Sequence, residues 1–165
     1  MRLFIAINFS ADMKAALIDV KNQLIKSGAR GNYTKDENLH LTLAFIGEYG
    51  DAGAVMRVLR AVPFEPTELS LGDVGAFGDL WWIGINAPDS LIRYAAALRR
   101  ALDAEGIPVD MKKFVPHITL LRRAEGDMPA VSASRAAMTA SRVSLMRSDR
   151  TPTGMKYTEI GFVQK

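Results

Sequence analysis

Short apolar runs alternate with polar breaks along the whole chain, and their spacing switches between the strand and helix periods several times. Residues 3–9 form a β-rich run that reads as a strand. Ser10 can then cap a helix whose Met13, Leu17, Val20 and Leu24 recur every three or four residues, so that one stripe faces a core. Gly28 and Gly31 end that helix, and Lys35-Asp36-Glu37-Asn38 is turn chemistry before a strand over 39–46. A shorter helix starts near Ala52, with Val55, Met56, Leu59 and Val62 on one face, and stops at Pro63 and Pro66. Residues 67–76 and 80–86 read as antiparallel strands joined by a tight turn at Gly78-Asp79. A long helix over about 88–105 carries the stripe Leu91, Ala95, Leu98 and Leu102, with Gly106 where a terminating glycine belongs. A strand over 114–121 contains Pro116, which predicts a sheet edge or a bulge there. The alanine-rich stretch 123–137 reads as loop with one helical turn, and strands over 140–147 and 156–163 close the chain.

The resulting order, β-α-β-α-β-β-α-β-β-β, mixes helices with mainly antiparallel strands and predicts an α+β fold rather than a doubly wound sheet. Each half carries a helix followed by a strand containing a histidine. The 165 residues suffice for one well-cored domain, expected to span 1–165. No window approaches the roughly 18 apolar residues of a membrane span, and the apolar start is too short for a secretion signal, so no membrane association is expected. The chain has no cysteine. Disulfides, thiolate catalysis and cysteine-based zinc sites are thereby excluded, in keeping with a reducing, cytoplasmic setting. Formal charge is +3, and many of the cations fall late, among them Arg122, Arg123, Arg147, Arg150 and Lys156. A basic face that attracts a polyanion and an ordinary solvated surface both fit that excess.

The chemistry concentrates in two matching segments. The chain's two histidines lie in His40-Leu41-Thr42-Leu43 and His117-Ile118-Thr119-Leu120. On a strand, residues two apart share a face. His40 and Thr42 therefore project together, opposite Leu39, Leu41 and Leu43, while His117 and Thr119 project together, opposite Ile118 and Leu120. Two such strands facing one another would make a cleft with an imidazole and a hydroxyl on each side. That set suits a phosphodiester. One neutral histidine can deprotonate an attacking water, a protonated one can donate to the leaving oxygen, and the threonines can hydrogen-bond phosphate oxygens. A lone histidine on a half-buried strand is usually structural; the repetition, using both histidines, argues for function. No metal site is expected, because neither motif has a third histidine, an H-E-x-x-H helix or a carboxylate at ligand spacing. No cofactor is implied either, since Gly72, Gly75 and Gly78 fit no nucleotide-binding loop.

These residues give the sequence a clear resemblance to the 2H phosphoesterases, and within them to the bacterial RNA 2′,3′-cyclic phosphodiesterases once described as 2′–5′ RNA ligases. The similarity runs through Arg2-Leu3-Phe4-Ile5-Ala6-Ile7, the block from Asn38 to Glu48, and Phe114-Val115-Pro116-His117-Ile118-Thr119-Leu120-Leu121-Arg122, and extends to Ser148, Gly154 and Tyr157. It implies a bilobal α+β fold with pseudo-two-fold symmetry: two mainly antiparallel sheets, outer helices and a cleft between them. It also implies that His40 donates a proton, that His117 accepts one, and that the product is a 2′-phosphomonoester. The stretch after Arg123 departs from the family pattern in being short and alanine-rich.

The expected substrate is an RNA end or nucleotide carrying a 2′,3′-cyclic phosphate, handled by a monomeric enzyme, with ligation as the reverse reaction. Arg122, Tyr157 with Lys156, and Phe77 are candidate substrate contacts: a guanidinium for phosphate and aromatic rings for a base. Of Trp81 and Trp82, at least one is expected in the core. A small cyclic nucleotide or an ADP-ribose cyclic phosphate is the alternative substrate, and a non-catalytic RNA-binding module is the alternative class.

Overall fold

Parity along the first strand sets the architecture. In the computed structural model, which describes residues 1–165, β1 (Arg2–Asn8) buries Leu3, Ile5 and Ile7 completely in the main core. Its even positions, Phe4 and Ala6, turn to the opposite face and pack in a small separate group with Met146 and Tyr157. One face of the strand thus holds the fold and the other is free to build a site.

Helix α1 (Ala11–Lys26) starts where the Ser10 hydroxyl accepts the Met13 amide hydrogen at 3.3 Å, and it buries Met13, Leu17, Val20 and Leu24. The short strand β2 (Arg30–Tyr33) and a 3₁₀ turn at Asp36–Asn38 lead into β3 (His40–Glu48). Then come α2 (Ala52–Ala61), the hairpin β4 (Thr67–Phe77) and β5 (Leu80–Asn86), and α3 (Asp89–Ala104). The chain ends with β6 (His117–Glu125), β7 (Ala137–Ala140), β8 (Arg142–Thr151) and β9 (Gly154–Gln164).

The strands form two sheets, ordered β3-β1-β8-β9 and β2-β6-β5-β4-β7, and every pairing is antiparallel. The order β3-β1-β8-β9 maps onto β6-β5-β4-β7, with α1 after β1 matching α3 after β5: the pseudo-two-fold relation of the expected fold. Chain segments interleave between sheets, since β8 and β9 complete the sheet begun by β1 and β3, while β2 joins the other sheet. A single cluster of 34 buried residues draws on both sheets and all three helices, so the two lobes share one core. No helix is long and apolar enough to cross a membrane.

Three local expectations need correction. The strand expected over 114–121 begins at His117, because Pro116 has no amide hydrogen to contribute to a ladder. β6 is also interior, lying between β2 and β5, so Pro116 marks neither an edge nor a bulge; its carbonyl accepts the Ile85 amide hydrogen at 3.0 Å just ahead of the strand. The stretch 123–137 contains no helical turn, since β6 runs on to Glu125 and β7 begins at Ala137. Strands β2 and β7 were not anticipated. Each is four residues long, too short to show a period, and β2 contains Gly31 at φ 145, where a Cβ would stand 2.6 Å from the Arg122 carbonyl oxygen.

Candidate active site

His40 and His117 are the first residues of β3 and β6, the equivalent strands of the two sheets. The alternation behind them holds as expected. Leu39, Leu41, Leu43, Ile118 and Leu120 are at most 1% exposed, which leaves His40, Thr42, His117 and Thr119 on the opposite faces. Those four side chains line one cleft of about 580 Å³. Arg122 and Tyr157 line it with them.

Both imidazoles are fixed by the same device. Nδ1 of His40 lies 2.6 Å from the carbonyl oxygen of Asn38, and Nδ1 of His117 lies 2.5 Å from that of Val115, in each case two residues upstream. A carbonyl can only accept, so Nδ1 carries the hydrogen and donates it in both rings. Nε2 is then the nitrogen without a hydrogen in each neutral ring. In His40 it sits 2.8 Å from the Thr42 hydroxyl.

Aromatic rings wall each imidazole. The rings of Phe4 and Tyr157 lie 4.9 and 5.2 Å from that of His40, the tyrosine perpendicular to it. Phe77 and Trp82 stand 5.3 and 6.1 Å from His117, both edge to face. Trp82 can lie so close to β4 because its strand partner is Gly75, where a Cβ would stand 2.4 Å from the indole ring. Trp81 is the core tryptophan, at 4% exposure. Burial pushes the His40 pKa below its ordinary value; the Asn38 carbonyl works against that shift, and the Arg122 cation adds to it.

One segment ties the two motifs together. The Thr34 hydroxyl donates to the Thr119 carbonyl oxygen, and its amide to that of Leu120, both at 2.9 Å. Asn38, whose carbonyl holds His40, donates from Nδ2 to the Met155 carbonyl oxygen at 2.9 Å. Lys21, a buried lysine on α1, donates to the Thr34 carbonyl oxygen at 2.9 Å and pairs with Asp36. The result is a strap from α1 through 34–38 to both histidine strands.

Phe77 stands beside His117 but outside the lining of the cleft, and Lys156 is also outside it. Residues not expected in the site include Arg2, Phe4, Thr34, Asn38, Ser148 and Arg150, all of which line the cleft. Parity held a signal for two of them: Arg2 and Phe4 alternate with Leu3 and Ile5, so they had to occupy the face that the core does not use.

Residues 17–152 match the sequence family described as the 2′-5′ RNA ligase superfamily. The chain belongs to that superfamily. Curated members align over most of its length. The RNA 2′,3′-cyclic phosphodiesterase of Methanothermobacter thermautotrophicus is 27% identical, covering 97% of this chain and 96% of its own. The protein of the same name from Escherichia coli K12 is 34% identical over 74% of this chain and 72% of its own. Among solved structures, E. coli LigT complexed with 3′-AMP superposes with a TM-score of 0.87 at 26% identity, covering 99% of this chain and 97% of that one. The superfamily's bilobal fold, with the histidine strands meeting at a cleft between two antiparallel sheets, is the fold found here.

Proposed function

We propose that this chain is a metal-independent RNA 2′,3′-cyclic phosphodiesterase that opens the cyclic end to a 2′-phosphomonoester. The observation that carries the reading is the paired histidine geometry: two imidazoles with Nδ1 tied to a carbonyl, Nε2 of His40 beside the Thr42 hydroxyl, and both rings lining one cleft with two threonines. Its superfamily relatives, named for this activity, support the same reaction. The reading includes a cytoplasmic, monomeric enzyme, in keeping with a chain that has no cysteine.

In the forward step, Nε2 of neutral His117 takes a proton from water as its oxygen attacks phosphorus. The bond from phosphorus to O3′ breaks, and Nε2–H of protonated His40 delivers its proton to O3′. Thr42 and Thr119 donate hydrogen bonds to the non-bridging oxygens, and Arg122 offsets their charge. Tyr157 stands against the reacting centre, and Phe77 extends the site outward for a base. Ligation is the same ring opening with a 5′-hydroxyl in place of water. His117 takes the proton of that hydroxyl, the hydroxyl oxygen bonds to phosphorus, and His40 protonates the departing O3′, leaving a 2′–5′ diester. The two roles exchange only when such a diester is cleaved back to the cyclic phosphate.

The roles of the histidines rest on family likeness, and burial of His40 favours the opposite order by disfavouring its imidazolium. A bound phosphate anion offsets that effect, since a negative charge beside the ring stabilises the protonated form. A cyclic phosphate with sulfur in place of the 3′ bridging oxygen separates the two, because a thiolate leaves without an acid. His40→Ala should then recover most of the lost rate and His117→Ala none; recovery in His117→Ala alone would exchange the roles. The reaction class is tested on a short RNA ending in a 2′,3′-cyclic phosphate, in EDTA, with the product read by phosphorus NMR. A 2′-phosphate is expected. A 3′-phosphate, turnover confined to small cyclic nucleotides or ADP-ribose cyclic phosphate, RNA binding without turnover, or loss of activity in chelator would each overturn a stated part of the reading.

A further inference from the structure

The cleft is longer than the reacting centre needs. His40, Thr42 and Phe4 occupy one end of the first sheet's open face, and Arg122 lines the cleft with them from β6 of the second sheet. Arg2 lies one same-face step beyond Phe4 along β1, about 6.6 Å for two residues of strand. Across the sheet from Arg2, in register, come Ser148 of β8 and then Tyr157 of β9. Arg150, two residues past Ser148 and on the same face, pairs with Met155. Arg2, Ser148, Arg150, Tyr157 and Met155 all line the cleft.

This end is cationic and uncommitted. Arg142 and Arg147 of the same sheet are bound to Glu159 and Asp149, whereas Arg2 and Arg150 enter none of the molecule's ion pairs. The one carboxylate in the lining, Glu48, lies 3.3 Å from the Met1 amino group. The Arg2 guanidinium lies over the Phe45 ring, 4.9 Å from its centroid, and both residues line the cleft. Ser148 is 9% exposed, and on the sheet it lies in register between Arg2 and Tyr157. Arg122 is the cation that acts electrostatically on His40, whereas Arg2 is set along β1 one same-face step past Phe4 and Arg150 lies on β8.

We infer that Arg2, Ser148 and Arg150 form a second anion subsite that holds the 5′-phosphate of the terminal nucleoside, making an oligoribonucleotide end, rather than a free cyclic mononucleotide, the preferred substrate. In an RNA chain that group is the nearest phosphate to the cyclic one, separated from it by a single ribose. The assignment to RNA rests on the proposed function; the anion subsite does not.

The test begins with binding alone. Adenosine 2′,5′-bisphosphate and adenosine 2′-monophosphate are titrated calorimetrically into the wild type and into the Arg2→Ala/Arg150→Ala double variant. The bisphosphate should bind the wild type roughly 10- to 100-fold more tightly, less so as salt rises, the usual worth of charge-assisted contacts. In the double variant the preference should fall to about twofold or less, and Arg2→Lys/Arg150→Lys should keep only part of it. Equal affinities in the wild type, or a preference that survives the double substitution, would overturn the subsite. The second arm compares kcat/KM for a dinucleotide and a mononucleotide cyclic phosphate. A wild-type ratio above about ten that collapses in the double variant is expected; a ratio near one would overturn the substrate preference. Absence of turnover on both would instead strike the proposed function, leaving the binding result to decide the subsite.

Discussion

His40 and His117 occupy equivalent positions in the two lobes, and the same tie to a carbonyl two residues back orients both rings. Their surroundings differ. His40 is sunk between Phe4 and Tyr157, has Thr42 at 2.8 Å from Nε2, and feels the Arg122 cation from the opposite sheet. His117 stands near the rim beside the exposed Phe77, and its Nε2 has no contact to Thr119 matching that of His40 to Thr42. The fold has thus duplicated the positioning device and varied the environment. Two chemically identical groups can take different protonation states, and hence different jobs, when desolvation and neighbouring charge differ between them.

The largest expected effect tests whether the two act as a unit. His40→Ala or His117→Ala should each lower kcat/KM by roughly 10²–10⁴-fold, and the double variant should fall little further. Near wild-type turnover in either single variant would end the acid–base reading. Next come the threonines. Thr42→Val removes a phosphate donor and the neighbour of Nε2 together, so it should cost about 10²-fold in kcat, while Thr119→Val should cost nearer tenfold. The reverse ranking would mean that the contact between Thr42 and His40 has no bearing on catalysis. Lys21→Met acts on both lobes through the strap. It removes the donor to Thr34 and leaves Asp36, half exposed, to water, so about 1–3 kcal/mol of stability should go, with a few-fold loss of kcat. Urea unfolding beside steady-state kinetics reads both, and unchanged stability would show that the strap is not held by the lysine.

Much of this was legible because parity and chemistry coincide at the motifs. Leu39, Leu41, Leu43, Ile118 and Leu120 mark the core face so strongly that the opposite face of each strand had to carry His and Thr together. The far wall of the cleft was not legible in that way. Arg2 is far in sequence from Ser148 and Arg150 and meets them only because β8 pairs with β1. Non-local pairing leaves no local periodicity. Asn38 was hidden for another reason: it reads as a turn residue, and its side-chain bond to Met155 reaches β9 from outside any strand. Phe77 was placed in the site by type, and the β4–β5 hairpin sets it just beyond the lining.

The smallest and sharpest test is a titration. Proton NMR should show the His40 ring titrating below its ordinary value near 6.5, mainly because burial penalises the imidazolium. Arg122→Gln removes the like charge and should move that midpoint upward, yet not past the ordinary value, since burial remains. Adding adenosine 2′-monophosphate should move it upward too, because the phosphate anion stabilises the charged ring. If His40 is the acid, kcat/KM falls as pH rises through the free-enzyme midpoint, and kcat falls only at higher pH, where the bound phosphate has shifted it. A kcat/KM that rises through that midpoint makes His40 the base. A His40 that titrates at or above 6.5 in the free wild type removes the environmental contrast between the two histidines, and their division of labour would then have to come from where the substrate sits.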